Sequence, residues 1–106
     1  MNFWINQDLW NIVFVNPTSQ FLLMDNGEYT VGVTDRDLQT IFISNAIFGD
    51  FLKDVLRHEI CHAAMYSYSY EMDIPHEECF CQIVEKHSEE IDNLADNLYS
   101  KIEGGL

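Results

Sequence analysis

The chain has 106 residues, a length that predicts one folded domain, residues 1–106. Hydrophobic residues make up 47% of it, which suffices for a core and excludes an intrinsically disordered chain. Only 5 Lys and Arg residues stand against 18 Asp and Glu residues, so the formal net charge is -13. Because such a surface repels phosphate groups, we expect neither nucleic acid nor an anionic membrane as a partner.

The sequence has the features of a cytoplasmic protein. No apolar run reaches the ~20 residues that cross a bilayer, and the first residues lack a basic segment followed by an apolar one. The three cysteines are an odd number, and Cys79 and Cys81 are too close in sequence to pair with each other in regular structure. We therefore expect a reducing compartment, the cytoplasm.

Residues 1–45 have the composition of β-strands. Apolar and β-branched runs are separated by turn signals such as Asn16-Pro17 and Asp25-Asn26-Gly27. They predict an antiparallel sheet of three or four short strands, at Leu9–Val15, Phe21–Met24, Tyr29–Val33 and Thr40–Ser44.

The pattern changes to helical spacing from Asn45 onward. A stripe with spacings of three and four predicts one long helix, capped by Ser44 or Asn45; its members are Ile47, Phe51, Val55, Glu59, His62 and Tyr66. A second helix is predicted from about Pro75 to Ile102, with an apolar side formed by Phe80, Ile83, Val84, His87, Ile91, Leu94, Ala95 and Leu98. The predicted class is α+β, a small sheet followed by two helices.

The motif with chemical content is His58-Glu59-Ile60-Cys61-His62, an HExxH sequence in the middle of the first predicted helix. Four residues advance a helix by about 40° beyond a full turn, so the two imidazoles lie on one side and can share one ion. Glu59 is displaced by about 100° from His58, close enough to reach a water on that ion without binding it. This is the position of a general base.

A catalytic zinc site usually has three protein ligands, so a third is expected from the second helix. There the sequence resembles the gluzincins, whose third ligand is a helix glutamate followed at +3 by a small residue and at +4 by a polar one. Glu78 fits this pattern, with Cys81 and Gln82 at those positions. Glu77 is the second choice, because it would put Phe80 at the small position.

The resemblance extends over most of the chain. The segments Thr40–Ser44, His58–Ala63 and Glu78–Gln82 resemble the ImmA/IrrE-like metallopeptidases and the related short phage-type proteins. This resemblance implies a minimal zincin that binds Zn²⁺ and works as a zinc-dependent endopeptidase on a protein or peptide, often a cytoplasmic repressor. Cys61 stands where many members have glycine.

Peptide hydrolysis at such a site needs a base, an oxyanion donor and a surface that orients the substrate. Glu59 is the predicted base. Tyr66 is the first candidate for the oxyanion donor, and Tyr68, Tyr70 and His76 remain open. An extended peptide is expected to pair with the edge of Thr40–Ser44 or of its neighbour Tyr29–Val33.

Other interpretations remain open at this point. Cys79 and Cys81 could complete a closed structural zinc site with His58 and His62. The chain could also be a non-enzymatic acidic protein that imitates DNA charge, or a zinc-stabilised binding module without turnover. Cys61 is expected to be a small buried residue, and His87 a core residue or a neighbour of the metal ligands. The sequence predicts neither the oligomeric state nor the substrate's identity.

Overall fold

A computed structural model of the chain describes residues 1–68 and 76–104, with the backbone alone for residues 76–85. Strands come first and helices last, which confirms the predicted α+β class. The elements are β1 (Asn2–Ile5), β2 (Asp8–Val15), a 3₁₀ turn (Gln20–Leu22), β3 (Gly32–Asp35), β4 (Thr40–Ser44), α1 (Gly49–Ser67) and α2 (His76–Glu103). No helix in the described part of the chain is both long enough and apolar enough to span a membrane.

The four strands form one mixed sheet in the order β1-β2-β4-β3. The β3–β4 pair is antiparallel, as predicted, and β2 also pairs antiparallel with β1, a strand that the sequence analysis did not predict. β2 and β4 are parallel, with Ile12 opposite Ile41, so the prediction of a purely antiparallel sheet is wrong. The sheet is mixed because the chain after β2 crosses to the far edge, forms β3 and returns as β4 between them. All five residues of β4 are buried, as expected for a central strand.

The predicted strand Phe21–Met24 is wrong. The chain there forms the 3₁₀ turn, in which the Ser19 side chain accepts a hydrogen bond from the Phe21 amide, and Leu23 makes a single bridge to Tyr29. The Phe21 ring stacks on Phe42 with centroids 4.3 Å apart. The apolar run therefore covers the outer face of β4 instead of joining the sheet.

Other boundaries also differ from the predictions. β3 lies at Gly32–Asp35 instead of Tyr29–Val33, and the short strand β1 was not predicted. The predicted cap of α1 at Ser44 or Asn45 is wrong: α1 begins at Gly49, its N-cap residue is Phe48 without a side-chain cap bond, and the Ser44 hydroxyl accepts from the Ala46 amide at the end of β4. α2 spans His76–Glu103, close to its predicted range.

The core lies between the sheet and the two helices. α1 contributes Leu52, Leu56, Ile60 and Ala63, and these side chains belong to one buried cluster with Ile5, Trp10, Ile12, Ile41 and Ile43 of the sheet. α2 adds Ile91, Ala95 and Leu98, with Leu94 partly buried, which confirms its predicted apolar side from residue 91 onward. The predicted apolar residues Phe80, Ile83 and Val84 lie outside the described side chains.

The two helices pack antiparallel. Arg57 of α1 pairs with Asp92 of α2 at 3.0 Å, and Lys53, one turn earlier in α1, pairs with Asp96, one turn later in α2, at 2.9 Å. In this antiparallel register residues 87–91 of α2 lie opposite the HExxH motif, and the first turns of α2 lie toward the C-terminal end of α1.

Candidate active site

The stripe predicted on α1 faces a cleft. Four of its members line this cleft: Val55, Glu59, His62 and Tyr66. Four residues of α1 that face the core each follow a member of the stripe by one position in the sequence: Leu52, Leu56, Ile60 and Ala63. The cleft has a volume of about 560 Å³. Its other lining residues are Met24, Asp54, His58 and the segment Thr30, Val31, Gly32, Val33 and Thr34.

His58 and His62 point at a common place. Their Nε2 atoms are 3.2 Å apart, and the two rings meet edge to face with centroids 4.9 Å apart. Two nitrogen ligands about 2.0–2.1 Å from a tetrahedral ion stand about 3.3 Å apart, so the observed separation fits a shared zinc ion. His58 is exposed and His62 half-buried, so the site is accessible from the cleft.

Glu59 lies beside the histidines and is buried, with 7% of its surface exposed. Its carboxylate Oε1 accepts a hydrogen bond from the Thr34 hydroxyl at 2.8 Å. In the part of the chain that the structure describes, Oε2 has no hydrogen-bond partner. A buried carboxylate with one free oxygen in a cleft can accept a proton from a water molecule.

Among the described strands, β3 is an edge of the sheet, and it lies beside the cleft. The Ser44 amide donates to the Val31 carbonyl at 3.0 Å, and antiparallel pairing alternates along a strand, so Gly32 and Thr34 direct their own backbone groups away from β4. An extended peptide could pair with them. Two strands were predicted for this role. Thr40–Ser44 lies inside the sheet and has no open edge, whereas the predicted strand Tyr29–Val33 overlaps the edge strand β3.

The described side chains include no candidate for a third metal ligand beside His58 and His62. Within residues 1–68 and 86–104, no group of three His, Cys, Asp or Glu side chains is arranged to hold an ion. The predicted ligand Glu78 and its alternative Glu77 belong to α2, but their side chains lie outside the described residues. The same holds for Cys79 and Cys81, and the predictions for all four stay predictions.

The structure separates the candidate oxyanion donors. Tyr66 lines the cleft one helical turn after His62, and the Arg36 guanidinium lies over its ring at 5.7 Å from the centroid. Tyr68 faces α2 instead, where its hydroxyl lies 2.8 and 2.9 Å from the two carboxylate oxygens of Glu90. Tyr70 and the side chain of His76 lie outside the described residues.

Cys61 and His87 lie outside the cleft, and each is half-buried rather than fully buried. Cys61 is half-buried and packs against the core, and burial, together with the nearby Asp92 carboxylate, raises the pKa of its thiol. His87 stacks on Tyr68 with centroids 3.9 Å apart, and its Nδ1 lies 3.6 Å from Glu90.

Sequence reasoning missed the partners of Glu59 on β3. Gly32 and Thr34 belong to no recognised motif, but a glycine inside a run of β-branched residues often marks a close approach of another backbone or side chain. That is the case here: a Cβ on Gly32 would lie 2.9 Å from Val55 Cγ1 and 3.1 Å from Glu59 Cγ. Gly32 in the sequence could therefore have indicated that another element packs closely against this strand.

Comparison with models of protein families shows which family the chain belongs to. Residues 7–100 match the model described as the SprT-like family, and this range includes β2, β3 and β4, the HExxH motif and nearly all of α2. The chain belongs to the SprT-like family. No curated protein and no solved structure matches it significantly.

SprT-like domains are zinc metallopeptidase-like, and the four-stranded sheet followed by two helices is compatible with a minimal zincin. The prediction of a zinc metallopeptidase-like domain is thus confirmed at this level. The match gives no support to the finer resemblance to ImmA/IrrE-like proteins, and it does not identify the metal ligands of the SprT-like chain.

Proposed function

We propose that the chain is a zinc-dependent endopeptidase. The observation that carries this proposal is the convergence of the His58 and His62 Nε2 atoms, 3.2 Å apart, beside the buried carboxylate of Glu59 in one cleft. The coarser relationship to zinc metallopeptidase-like domains supports it. Glu78 is the proposed third ligand, with Glu77 as its alternative.

The donor set suits zinc, because two neutral imidazoles and one carboxylate would leave a bound ion with net positive charge. When bound, zinc supplies Lewis acidity: it lowers the pKa of a water molecule to about 7 and polarises the carbonyl of the peptide bond. In this proposal Glu59 takes the proton of the attacking water and returns it to the amine that leaves. Tyr66 donates a hydrogen bond to the carbonyl oxygen as charge develops on it.

The proposed substrate is an extended segment of a protein or peptide. Backbone groups of Gly32 and Thr34 are directed at the free edge of β3 and could hold such a segment by strand addition. The segment would then run past His58 and His62, with its scissile carbonyl near both histidines. Pairing through the backbone favours extended chains over folded ones and makes the recognition tolerant of sequence.

Metal content and Glu59 substitution test the proposal together. Purified protein should contain about one zinc per chain by plasma mass spectrometry, and His58→Ala should lose it, whereas His87→Ala, away from the cleft, should keep it. Glu59→Gln should abolish cleavage of an unfolded protein such as casein while keeping zinc and fold. Glu89→Gln, on an exposed site of α2, is the matched control. Full cleavage by Glu59→Gln would refute the proposed base.

The third ligand needs its own comparison. Glu78→Gln and Glu77→Gln should be measured for zinc affinity side by side, with an expected loss of at least about tenfold for Glu78→Gln alone. Equal affinities in both variants and the wild type would show that neither glutamate binds the ion.

The same measurements separate the alternatives. Metal-free protein that binds basic partners would indicate the non-enzymatic acidic protein, for which the net charge of -13 is the supporting observation. Zinc without hydrolysis of any unfolded substrate would indicate a zinc-stabilised binding module.

A further inference from the structure

The close contact between β3 and Glu59 extends the proposed function to a residue outside the HExxH motif. Glu59 belongs to α1, but its carboxylate lies against the edge strand, where the hypothetical Cβ of Gly32 would be 3.2 Å from Oε2. Only a residue without a side chain at position 32 allows this approach. The glycine therefore brings the carboxylate within reach of Thr34, two residues along the same face of the strand.

We propose that Thr34 is a positioning residue for the general base, an inference that rests on the proposed function. Its hydroxyl lies 2.8 Å from Oε1 and 3.1 Å from the backbone carbonyl of Glu59. A hydroxyl has one proton to donate, and a charged carboxylate is a stronger acceptor than a carbonyl already used in a helix. The bond to Oε1 thus fixes the torsion of the carboxylate and leaves Oε2 as the oxygen that accepts the proton.

Thr34 also joins the base to the proposed substrate strand. The backbone groups of Thr34 face the free edge of β3, while its side chain faces Glu59. A peptide that pairs with this edge would order the residue that orients the carboxylate. Misplacement of a catalytic group by about 1 Å costs on the order of a hundredfold in rate, so the hydroxyl has a measurable effect on turnover.

The kinetic test compares Thr34→Val and Thr34→Ser in the full chain, with casein as the substrate. Valine keeps the shape of threonine without the hydroxyl, so kcat should fall about ten- to a hundredfold, with KM changed by less than about threefold. Serine retains the hydroxyl and should restore kcat to within about threefold of the wild type. Zinc content should stay at the wild-type level in both variants.

Thr40→Val is the matched control. Thr40 is buried in the central strand β4, and its hydroxyl donates to the Leu38 carbonyl at 2.9 Å. This substitution also removes a threonine hydroxyl and its hydrogen bond, but away from the cleft, so kcat should be unchanged even where stability falls. An equal loss of kcat in Thr40→Val and Thr34→Val would assign the effect to stability and overturn the proposal.

A second measurement does not depend on hydrolysis. In a double-mutant cycle of Thr34→Val and Glu59→Leu, each of which removes one partner of the hydrogen bond, the urea unfolding equilibrium should show coupling of about tenfold between the two side chains. Hydrolysis without coupling would overturn the role of Thr34 while leaving the proposed function intact. If the cycle shows coupling but the wild-type protein hydrolyses no substrate, the proposed function is refuted, and the catalytic role of Thr34 with it.

Discussion

Gly32 is a point of close approach between β3 and α1 in the site. Its backbone is ordinary extended strand, so the need for glycine here comes from space and not from conformation. An added methyl group would meet both the Val55 side chain and the carboxylate-bearing side chain of Glu59. The residue that makes room for the proposed base thus carries no functional group of its own.

Substituting Gly32 with alanine should therefore damage both the fold and the site. We expect Gly32→Ala to lower the free energy of unfolding by about 1–3 kcal/mol through overpacking, and to reduce cleavage by displacing Glu59. Urea unfolding and casein hydrolysis would measure the two effects. Gly27→Ala, in a turn with φ of 86° and open space around it, should lose stability without losing activity. Wild-type stability of Gly32→Ala would contradict the packing described for β3.

Ser67 closes α1 on the sheet through a buried hydrogen bond. The Trp10 indole donates from Nε1 to the Ser67 hydroxyl at 2.7 Å, and both residues are buried. Ser67→Ala leaves the indole N–H without a partner and should cost about 1–3 kcal/mol of unfolding free energy. Ser100→Ala, on an exposed position of α2, should cost far less. Thermal or urea unfolding of the two variants would give the comparison, and equal losses would argue against the buried bond.

At the scale of elements, hydrophobic patterns predicted the type of most segments but not how they pair. The runs at β2 and β4 were found because they are rich in apolar and β-branched residues, whereas β1, four residues at the start of the chain, was missed. The parallel pairing of β2 with β4 depends on where the intervening chain crosses the sheet, and no local pattern records that crossing. Phe21 misled the prediction because a side chain that covers a sheet is as apolar as one within it.

The packing of α1 on α2 should weaken at alkaline pH. Burial raises the pKa of the Cys61 thiol from 9.0 and that of Tyr99 from 10.0, and the hydrogen bond to Asp96 raises the pKa of Lys53 from 10.5. A raised pKa in the folded state stabilises the fold below the ordinary value, and this stabilisation is lost as the pH rises through the folded value. The urea midpoint should therefore hold from about pH 7 to about pH 9 and fall above it.

Cys61→Ala is the control for this pH dependence. Removing the thiol removes the group with the lowest ordinary pKa of the three, so the decline in the urea midpoint should begin nearer pH 10.0, where tyrosine ordinarily titrates. A urea midpoint that rises above about pH 9 in the wild type would contradict the raised pKa values of these three groups.

At the scale of the whole molecule, the net charge of -13 opposes folding by self-repulsion. The inter-helix pairs of Arg57 and Lys53 offset little of it, because they are partly exposed. Raising the salt concentration from about 0.02 M to about 0.3 M shortens the Debye length to below about 6 Å and should raise the thermal midpoint. A lower midpoint in salt would show that attractive ion pairs outweigh the repulsion.

From the sequence we could predict only those residues of the candidate site that lie close together on one helix. His58, Glu59, His62 and Tyr66 follow from spacing on one helix, and the structure places all four on one cleft. Thr34 lies 25 residues before Glu59 and meets it only because β3 is folded against α1. Such contacts arise from the topology of the sheet, and a motif within one element does not contain them.

The parallel pairing of β2 with β4 also bears on the order in which the molecule folds. The β1–β2 hairpin is one contiguous stretch, and β3, β4 and α1 form another, while the pairing of Asn11 with Thr40 closes a long loop between them. Long-range pairing is slow because the entropy of loop closure must be overcome first. The contact between Thr34 and Glu59 spans 25 residues and carries a similar cost, so we expect the candidate site and the centre of the sheet to form after the local hairpins.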